Sequence, residues 1–301
     1  MRVFVTGASG WIGSAAVDEL MAAGHEITGL ARSDPSASAL AAKGVTVLRG
    51  DLDDLDSLRA GAASADAVLH LANKHDWSDP AASNAAERSA VQTLGDVLAG
   101  SDRPFLLAAG VAGLTSGHPA TEDDPSPFHG PDSPRGGAEN LAFELVDRGV
   151  RTVSLRFAPT VHGMGDHGFI AAIAQVARDK GFSGYPGDGR NRWAAVHRSD
   201  AARLVVLGLD RAPAGSRLHA VAEEGVPTRE IAEAIGAALR LPVASVDPAD
   251  VPDHFGWIGG FFAMDLTATS RRTRELLGWT PSGPTLSEDL AAGAYGLEAP
   301  A

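Results

Sequence analysis

The stretch Thr6-Gly7-Ala8-Ser9-Gly10-Trp11-Ile12-Gly13 constrains this chain more than any other. It follows a short apolar run, Arg2–Thr6, and leads into residues 14–23, where Val17, Leu20 and Met21 share a helical face and Gly24 supplies a stop. Glycines at such a strand–turn–helix junction have separate uses. Gly7 permits the tight turn, Gly10 lets the backbone approach a diphosphate, and Gly13 lets the helix pack against the strand. Free N–H groups at the helix start then face the negative charge. Thr6, Gly7, Ser9, Gly10, Trp11, Ile12 and Gly13 are therefore the expected pyrophosphate cradle of a dinucleotide.

Short apolar runs alternate with helical patterns through the first 160 residues. The expected strands are Arg2–Thr6, Glu26–Ala31, Thr46–Arg49, 67–71, 105–108 and 152–156. Strands that are apolar at nearly every position imply a parallel sheet covered on both faces. Residues 134–148 read as a further helix, with Leu141, Ala142, Leu145 and Val146 on one stripe. Beyond Arg156, residues 161–168 and 181–191 are rich in Gly and His and read as loops. A helix over 199–210 and a strand over 216–221 return to the main sheet, and Thr228 caps a helix running to Leu239. The expected fold is α/β, a Rossmann-type doubly wound parallel sheet with a smaller C-terminal substrate lobe. Residues 1–160 plus about 195–222 form the core, and about 161–194 plus 223–301 form the lobe.

Composition narrows the partners. Acidic residues are scattered along the chain, the formal net charge is −13, and no Lys/Arg-rich run offsets it. Such a balance repels nucleic acid and anionic membrane. There is no cysteine, which excludes a disulfide framework, a thiolate nucleophile and a cysteine zinc site. The histidines show no close ligand spacing, so no metal is expected. The chain opens on the apolar run Val3-Phe4-Val5 with no leader-like stretch before it, and no apolar run reaches bilayer-spanning length. The expectation is a soluble, cytoplasmic protein acting on a small molecule.

The second strand bears on the choice of cofactor. A site for NAD carries an acidic residue at the end of that strand to bond the ribose 2′-hydroxyl. Here the sequence is Gly29-Leu30-Ala31-Arg32-Ser33, with Ala31 in the place of the acid. Arg32 followed by Ser33 suits a 2′-phosphate, because guanidinium bonds phosphate oxygens in a fork. NADP is favoured over NAD.

Several further segments carry a family resemblance. The glycine turn, Asp51-Leu52 after the third strand, and Leu69-His70-Leu71-Ala72 ending the fourth resemble the extended short-chain dehydrogenase/reductases, which include NAD-dependent epimerases and dehydratases. So do Arg156-Phe157-Ala158-Pro159, Val196-His197-Arg198-Ser199-Asp200 and Glu275-Leu276-Leu277-Gly278-Trp279. The resemblance implies that Asp51 and Leu52 hold the adenine, that Leu71, Ala72 and Asn73 lie along the cofactor, and that Pro159 and Thr160 border the nicotinamide. It also implies a homodimer.

The resemblance stops at the proton donor. That family uses a Tyr-x-x-x-Lys pair, one helical turn apart, so that the lysine lowers the tyrosine's pKa and holds the ribose. This chain has only Tyr185 and Tyr295, and Gly189 and Ala299 stand four residues beyond them. The fifth strand ends Ala108-Ala109-Gly110-Val111, without the family's accompanying hydroxyl. Aligned on Glu139, Arg135 takes the lysine position and Pro131 the tyrosine position. The chain is similar to an atypical subgroup with a His-x-x-x-Arg pair, but His129 stands two residues from the expected place. Arg135 can bond ribose hydroxyls yet cannot exchange protons near neutrality. Histidines are the alternative donors. His75 follows the fourth strand, His162 and His167 flank Gly163-Met164-Gly165-Asp166 after the sixth, and His197 precedes Asp200 at an expected helix start. The candidate catalytic set is His75, His129, Arg135 and His162.

Three functions remain open on these residues. The first is an NADP-dependent oxidoreductase acting on a small, largely apolar carbonyl or imine compound. Reduction of an iminium needs no acid from the protein, and Trp77, Trp193, Phe255, Trp257, Phe261 and Phe262 offer apolar surface, with Asp76 or Asp166 near a bound cation. The second is a catalytically silent NADP(H)-binding redox sensor. The third is a sugar-nucleotide epimerase or dehydratase. Arg190, Arg192 and Arg198 would favour an anionic substrate if they face the pocket and are solvated charge if they do not.

Overall fold

The computed structural model describes residues 1–74, 76, 78–114 and 117–295. Its strands are β1 (Arg2–Thr6), β2 (Glu26–Ala31), β3 (Thr46–Arg49), β4 (Ala67–His70), β5 (Pro104–Gly110), β6 (Arg151–Phe157), β7 (Thr160–His162), β8 (Ser183–Pro186), β9 (Arg192–His197), β10 (Ser216–Ala220), β11 (Glu223–Pro227) and β12 (Val243–Val246). Seven of them form one sheet in the order β10-β6-β5-β4-β1-β2-β3, every pair parallel. The order reverses at β1, which lies between its successor β2 and β4, so a crevice opens at the carboxyl ends of β1 and β4.

Both faces of the sheet are apolar for a reason visible residue by residue. In β1, Val3 and Val5 point into one core cluster and Phe4 into the other. In β5, Leu106 and Ala108 join the first while Phe105 and Leu107 join the second. Helices α1 (Trp11–Ala22), α2 (Asp34–Ala42) and, late in the chain, α7 (Arg198–Arg211) cover the first face. Helices α3 (Leu55–Ser64), α4 (Pro80–Leu98) and α5 (Ala138–Glu144) cover the second. This is the expected doubly wound Rossmann-type sheet.

A second, smaller assembly is built from later segments. Strand β9 pairs parallel to β7 and antiparallel to β11, and β8 pairs parallel to β12. Helix α6 (Phe169–Lys180) and helix α8 (Thr228–Leu239) pack Ile170, Ile173, Ile231 and Ile235 into its core, with Phe255 and Phe262. Along β9, Trp193 and Ala195 face this core while Ala194 and Val196 face the main one. One strand thus joins the two.

The structure changes several expectations. Residues 161–168 and 181–191 are not loops throughout, because β7 ends at His162 and β8 runs over Ser183–Pro186; Gly163, Gly165, Gly187 and Gly189, with positive φ, follow the paired residues, while Gly181 ends the preceding helix. Residues 134–148 do not form one helix. Arg135, Gly136 and Gly137 are left-handed (φ 56°, 61° and 64°), so α5 starts only at Ala138. Thr228 does not cap α8; its hydroxyl donates to Asn191 Oδ1 from the first helical position. The C-terminal stretch is not all lobe, since Ala268, Leu277 and Trp279 pack into the main core. No helix among the described residues is long and apolar enough to cross a membrane.

Candidate functional site

A cleft of about 870 Å³ runs along the carboxyl edge of the main sheet. The turn after β1 forms one wall. Gly7 has φ 71°, and a Cβ there would stand 2.7 Å from the Ala72 nitrogen, so only glycine fits against the end of β4. A Cβ at Gly13 would collide with the Gly7 carbonyl oxygen. Gly10 is the N-cap of α1 and brings no side-chain cap, and no acidic residue stands in the first turn. The helix therefore offers bare N–H donors and the positive end of its dipole. These features fit the diphosphate of a dinucleotide.

Every residue expected to hold the cofactor lines the cleft except Thr6 and Ser33. Thr6 is buried beneath it, where its hydroxyl pairs with His70 Nδ1 at 2.7 Å and accepts from the Ala72 N–H. Ser33 is instead the N-cap of α2, accepting from the Ser36 N–H at 3.3 Å, and Ser36 takes its place on the cleft wall. Arg32 lines the cleft from the end of β2, and its guanidinium has no hydrogen-bond or ion-pair partner among the described residues. The nearby acid Asp34 is already paired with Arg49 at 3.0 Å.

Arg135 is positioned by a clamp that the sequence did not reveal. One face of α4 presents Asn84, Glu87 and Arg88 to the 134–137 turn. Asn84 Oδ1 accepts from the Arg135 N–H at 2.9 Å, and Arg88 donates to the Gly136 carbonyl at 2.9 Å. Glu87, fully buried, takes the Arg135 guanidinium at 2.5 Å and the Asn73 amide at 3.1 Å. Burial opposes the charge on Glu87, but Arg135, His70 and the Asn73 amide together outweigh it and hold the carboxyl below its ordinary value. His70, also fully buried, stands 3.7 Å from Glu87, and burial holds its imidazole below its ordinary value. The only sequence trace of the clamp is the i, i+3, i+4 spacing of three polar residues in a helix otherwise rich in alanine.

Residues 3–221 match the family described as NAD dependent epimerase/dehydratase. The chain belongs to this family. Among its relatives, the uncharacterized protein C2A9.02 of Schizosaccharomyces pombe is 45% identical over 98% of this chain and 100% of its own length. A 4-hydroxy-2-methyl-3-oxo-4-farnesyl-3,4-dihydroquinoline-1-oxide ketoreductase of Stigmatella aurantiaca is 28% identical over 71% of this chain and 66% of its own. The UDP-glucose 4-epimerase of Thermus thermophilus, solved in complex with NAD, has the same fold, with a TM-score of 0.73 at 20% identity over 98% of both chains.

For a member of the epimerase/dehydratase family, the catalytic candidates scatter. Arg135 lines the cleft. His75 lies outside the described residues. His129 is exposed away from the cleft, its Nε2 3.4 Å from the Asn140 amide, so it does not face a substrate there. His162 is fully buried on β7 and holds Asp289 at 2.6 Å, which removes it from the cleft wall. Of the two histidines flanking the 163–166 turn, it is His167 that reaches the cleft, edge-on to Trp11 with ring centroids 5.6 Å apart. Trp11 in turn donates its indole N–H to the Val161 carbonyl at 2.7 Å and lies under Arg198.

The far end of the cleft is apolar. Phe169, Trp257 and Phe261 line it, while Trp193, Phe255 and Phe262 belong to the lobe core, and Trp77 lies outside the described residues. Asp166 lines the cleft, whereas Asp76 does not. None of Arg190, Arg192 and Arg198 reaches it, so the arginines gather no anion there. Ala108, Ala109 and Gly110 form the floor and bring no hydroxyl.

Proposed function

We propose that the protein is an NADP-dependent oxidoreductase that transfers hydride to a small, largely apolar carbonyl or imine compound. The observation that carries the cofactor assignment is Arg32, a guanidinium without a partner among the described residues at the end of β2, beside Ala31 where an acid would select NAD. Arg32 and Ser36 would receive a 2′-phosphate, the N–H groups at Gly10 and beyond the diphosphate, and Arg135 the ribose of the nicotinamide half. The bound cofactor supplies the hydride. The aromatic end of the cleft receives an apolar substrate, and the kinship to a ketoreductase supports reduction.

A sugar-nucleotide epimerase or dehydratase fits less well. Removing a hydroxyl proton demands a base on the cleft floor, where Ala108, Ala109 and Gly110 offer none. A nucleotide diphosphate substrate also calls for cations at the far end, and no arginine among the described residues stands there. The same bare floor supports a second reading, a protein that binds NADP(H) without turnover and reports its redox state.

Titration of the purified protein with NADPH and NADH separates these readings. NADPH is expected to bind more tightly, and Arg32→Ala to weaken it by roughly 10- to 100-fold, the worth of a hydrogen bond to a charged group, with NADH unchanged. Cofactor oxidation is then followed against ketones, aldehydes and imines. Tighter binding of NADH refutes the NADP assignment, and tight NADPH binding with no turnover moves the assignment to the sensor.

A further inference from the structure

The cleft floor brings no hydroxyl, yet the rim carries an imidazole. His167 is the one histidine among the described residues that lines the cleft, and it is exposed to water. Imidazole is the side chain whose ordinary titration falls near neutrality. The other ionisable groups on the wall are committed. Arg32 and Arg135 keep their protons near pH 7. Lys74 is tied to Asp53 at 2.7 Å, and Asp51 accepts from the backbone N–H groups of Asp53 and Asp54. Asp166 accepts at both oxygens, from the Gly168 N–H at 2.7 Å and the Tyr295 hydroxyl at 2.9 Å.

The His167 ring is also held in place. It stands edge-on to Trp11, with the two planes at 80°. Trp11 is itself fastened on several sides. Its indole N–H donates to the Val161 carbonyl at 2.7 Å, and its own carbonyl accepts from Arg198 Nε at 2.6 Å. The Arg198 guanidinium lies 4.1 Å from the centre of its ring. Val161 adjoins Pro159 and Thr160, the cleft residues that the family resemblance puts beside the nicotinamide. The imidazole therefore rests on a ring bonded to β7 one residue beyond that border. The charges around it are Asp166 on its own turn, His162 on β7 and Arg198 across the Trp11 ring, and Arg178 of α6 lines a second hollow with Asp166. Burial raises the Asp166 carboxyl, and the charges of His167 and His162 work against that shift.

We propose that His167 is the catalytic acid of carbonyl reduction, delivered from the lobe side of the cleft in place of a donor on the floor. The proposal rests on the oxidoreductase reading and supplies the acid that reading lacks. The carbonyl carbon of the substrate takes a hydride from the reduced cofactor, and the C=O π pair moves to oxygen. That oxygen takes the proton of the His167 imidazolium. A neutral alcohol, a neutral imidazole and the oxidised cofactor remain. Because His167 is exposed, water returns its proton for the next turnover. A positioned acid of this kind is worth about 10²–10⁴-fold in rate.

NADPH oxidation against a panel of ketones and aldehydes, acetophenone, cyclohexanone and benzaldehyde among them, tests the assignment in the unaltered protein and in His167→Gln. Glutamine keeps a hydrogen-bond donor at the position but has no proton to give. For the compound reduced fastest, kcat is expected to fall by about 10²–10⁴-fold, with NADPH affinity unchanged in fluorescence titration. The pH profile separates a proton donor from a side chain that only shapes the turn. In the unaltered protein the rate should fall as pH rises from about 6 to about 9, because the imidazolium is lost, and the variant's profile should be flat. In His167→Ala, added imidazole should restore part of the rate at this exposed position. A variant that reduces the same compound at the parental rate overturns the proposal and leaves the oxidoreductase reading in place. So does a lost rate that keeps the parental pH profile and does not respond to imidazole, and so does reduction of imines alone. No reduction of any compound by the unaltered protein with NADPH bound overturns the oxidoreductase reading, and the donor with it.

Discussion

Glu87 carries its charge where no water reaches it, and the arrangement is stable only because Arg135, Asn73 and His70 surround it. An isolated buried carboxylate costs several kcal/mol, and a paired one is retained at a net cost or gain that depends on geometry. Here the pair has a further effect. It fixes a guanidinium that would otherwise roam over a cleft wall, and it does so from a helix far away in sequence. Glu87→Gln keeps the shape and removes the charge, leaving Arg135 to compete with water for its contacts. The expected outcome is a loss of about 1–3 kcal/mol in unfolding free energy, with weaker NADPH binding. Restoring the carboxylate as Glu87→Asp should recover part of the affinity. Unchanged binding by Glu87→Gln in fluorescence titration would show that Arg135 does not need this anchor.

At the scale of elements, most strands of the main sheet were legible because they are short apolar runs, and runs of that kind need both faces covered, although β6 and β10 also bury polar side chains. The glycine turn was legible because its requirements are local, within eight residues. The segment before α5 was not. Its apolar stripe at Leu141, Ala142 and Leu145 has helical period, and that pattern says nothing about where the helix begins. What stops it is a run of three left-handed residues, a conformation that costs a non-glycine residue roughly 1–2 kcal/mol and that Asn84 and Arg88 hold from α4. The clamp spans 48 to 51 residues of sequence, beyond any local pattern. His162 and His167 were read together as the flanks of one turn, because nothing local distinguishes the exposed His167 from the buried His162. Gly136→Ala tests the turn. Its Cβ would meet the Asn84 carbonyl at φ 61°, so the unfolding midpoint in urea should fall by the equivalent of about 2 kcal/mol or more. Arg135 should leave the cleft with it. A midpoint within error of the parent would mean that the left-handed run is not rigid.

The whole molecule has to hold this site together while carrying a net charge of −13. Two opposing effects act as the pH falls from 7 to 5. Partial neutralisation of the carboxylates relieves their mutual repulsion, which favours the folded chain. Against this, His70 and His219 are buried, and burial holds both imidazoles below their ordinary value of 6.5. The unfolded chain protonates them near that value and the folded chain does not. Below about pH 6.5 the unfolded state therefore binds more protons, and the stability these residues confer above that pH is lost as pH falls through their folded values. Asp166 works in the reverse sense, its raised carboxyl favouring the fold at low pH and losing that contribution as pH rises. The repulsion acts between exposed charges and is screened beyond about 8 Å at 0.15 M salt, whereas the buried imidazoles are not screened. Melting curves at that salt should accordingly show the melting temperature falling steadily from pH 7 to pH 5, with a shallower fall in His219→Gln. A melting temperature that rises over this interval would mean that relief of charge repulsion outweighs the cost of burying neutral histidines in the main sheet.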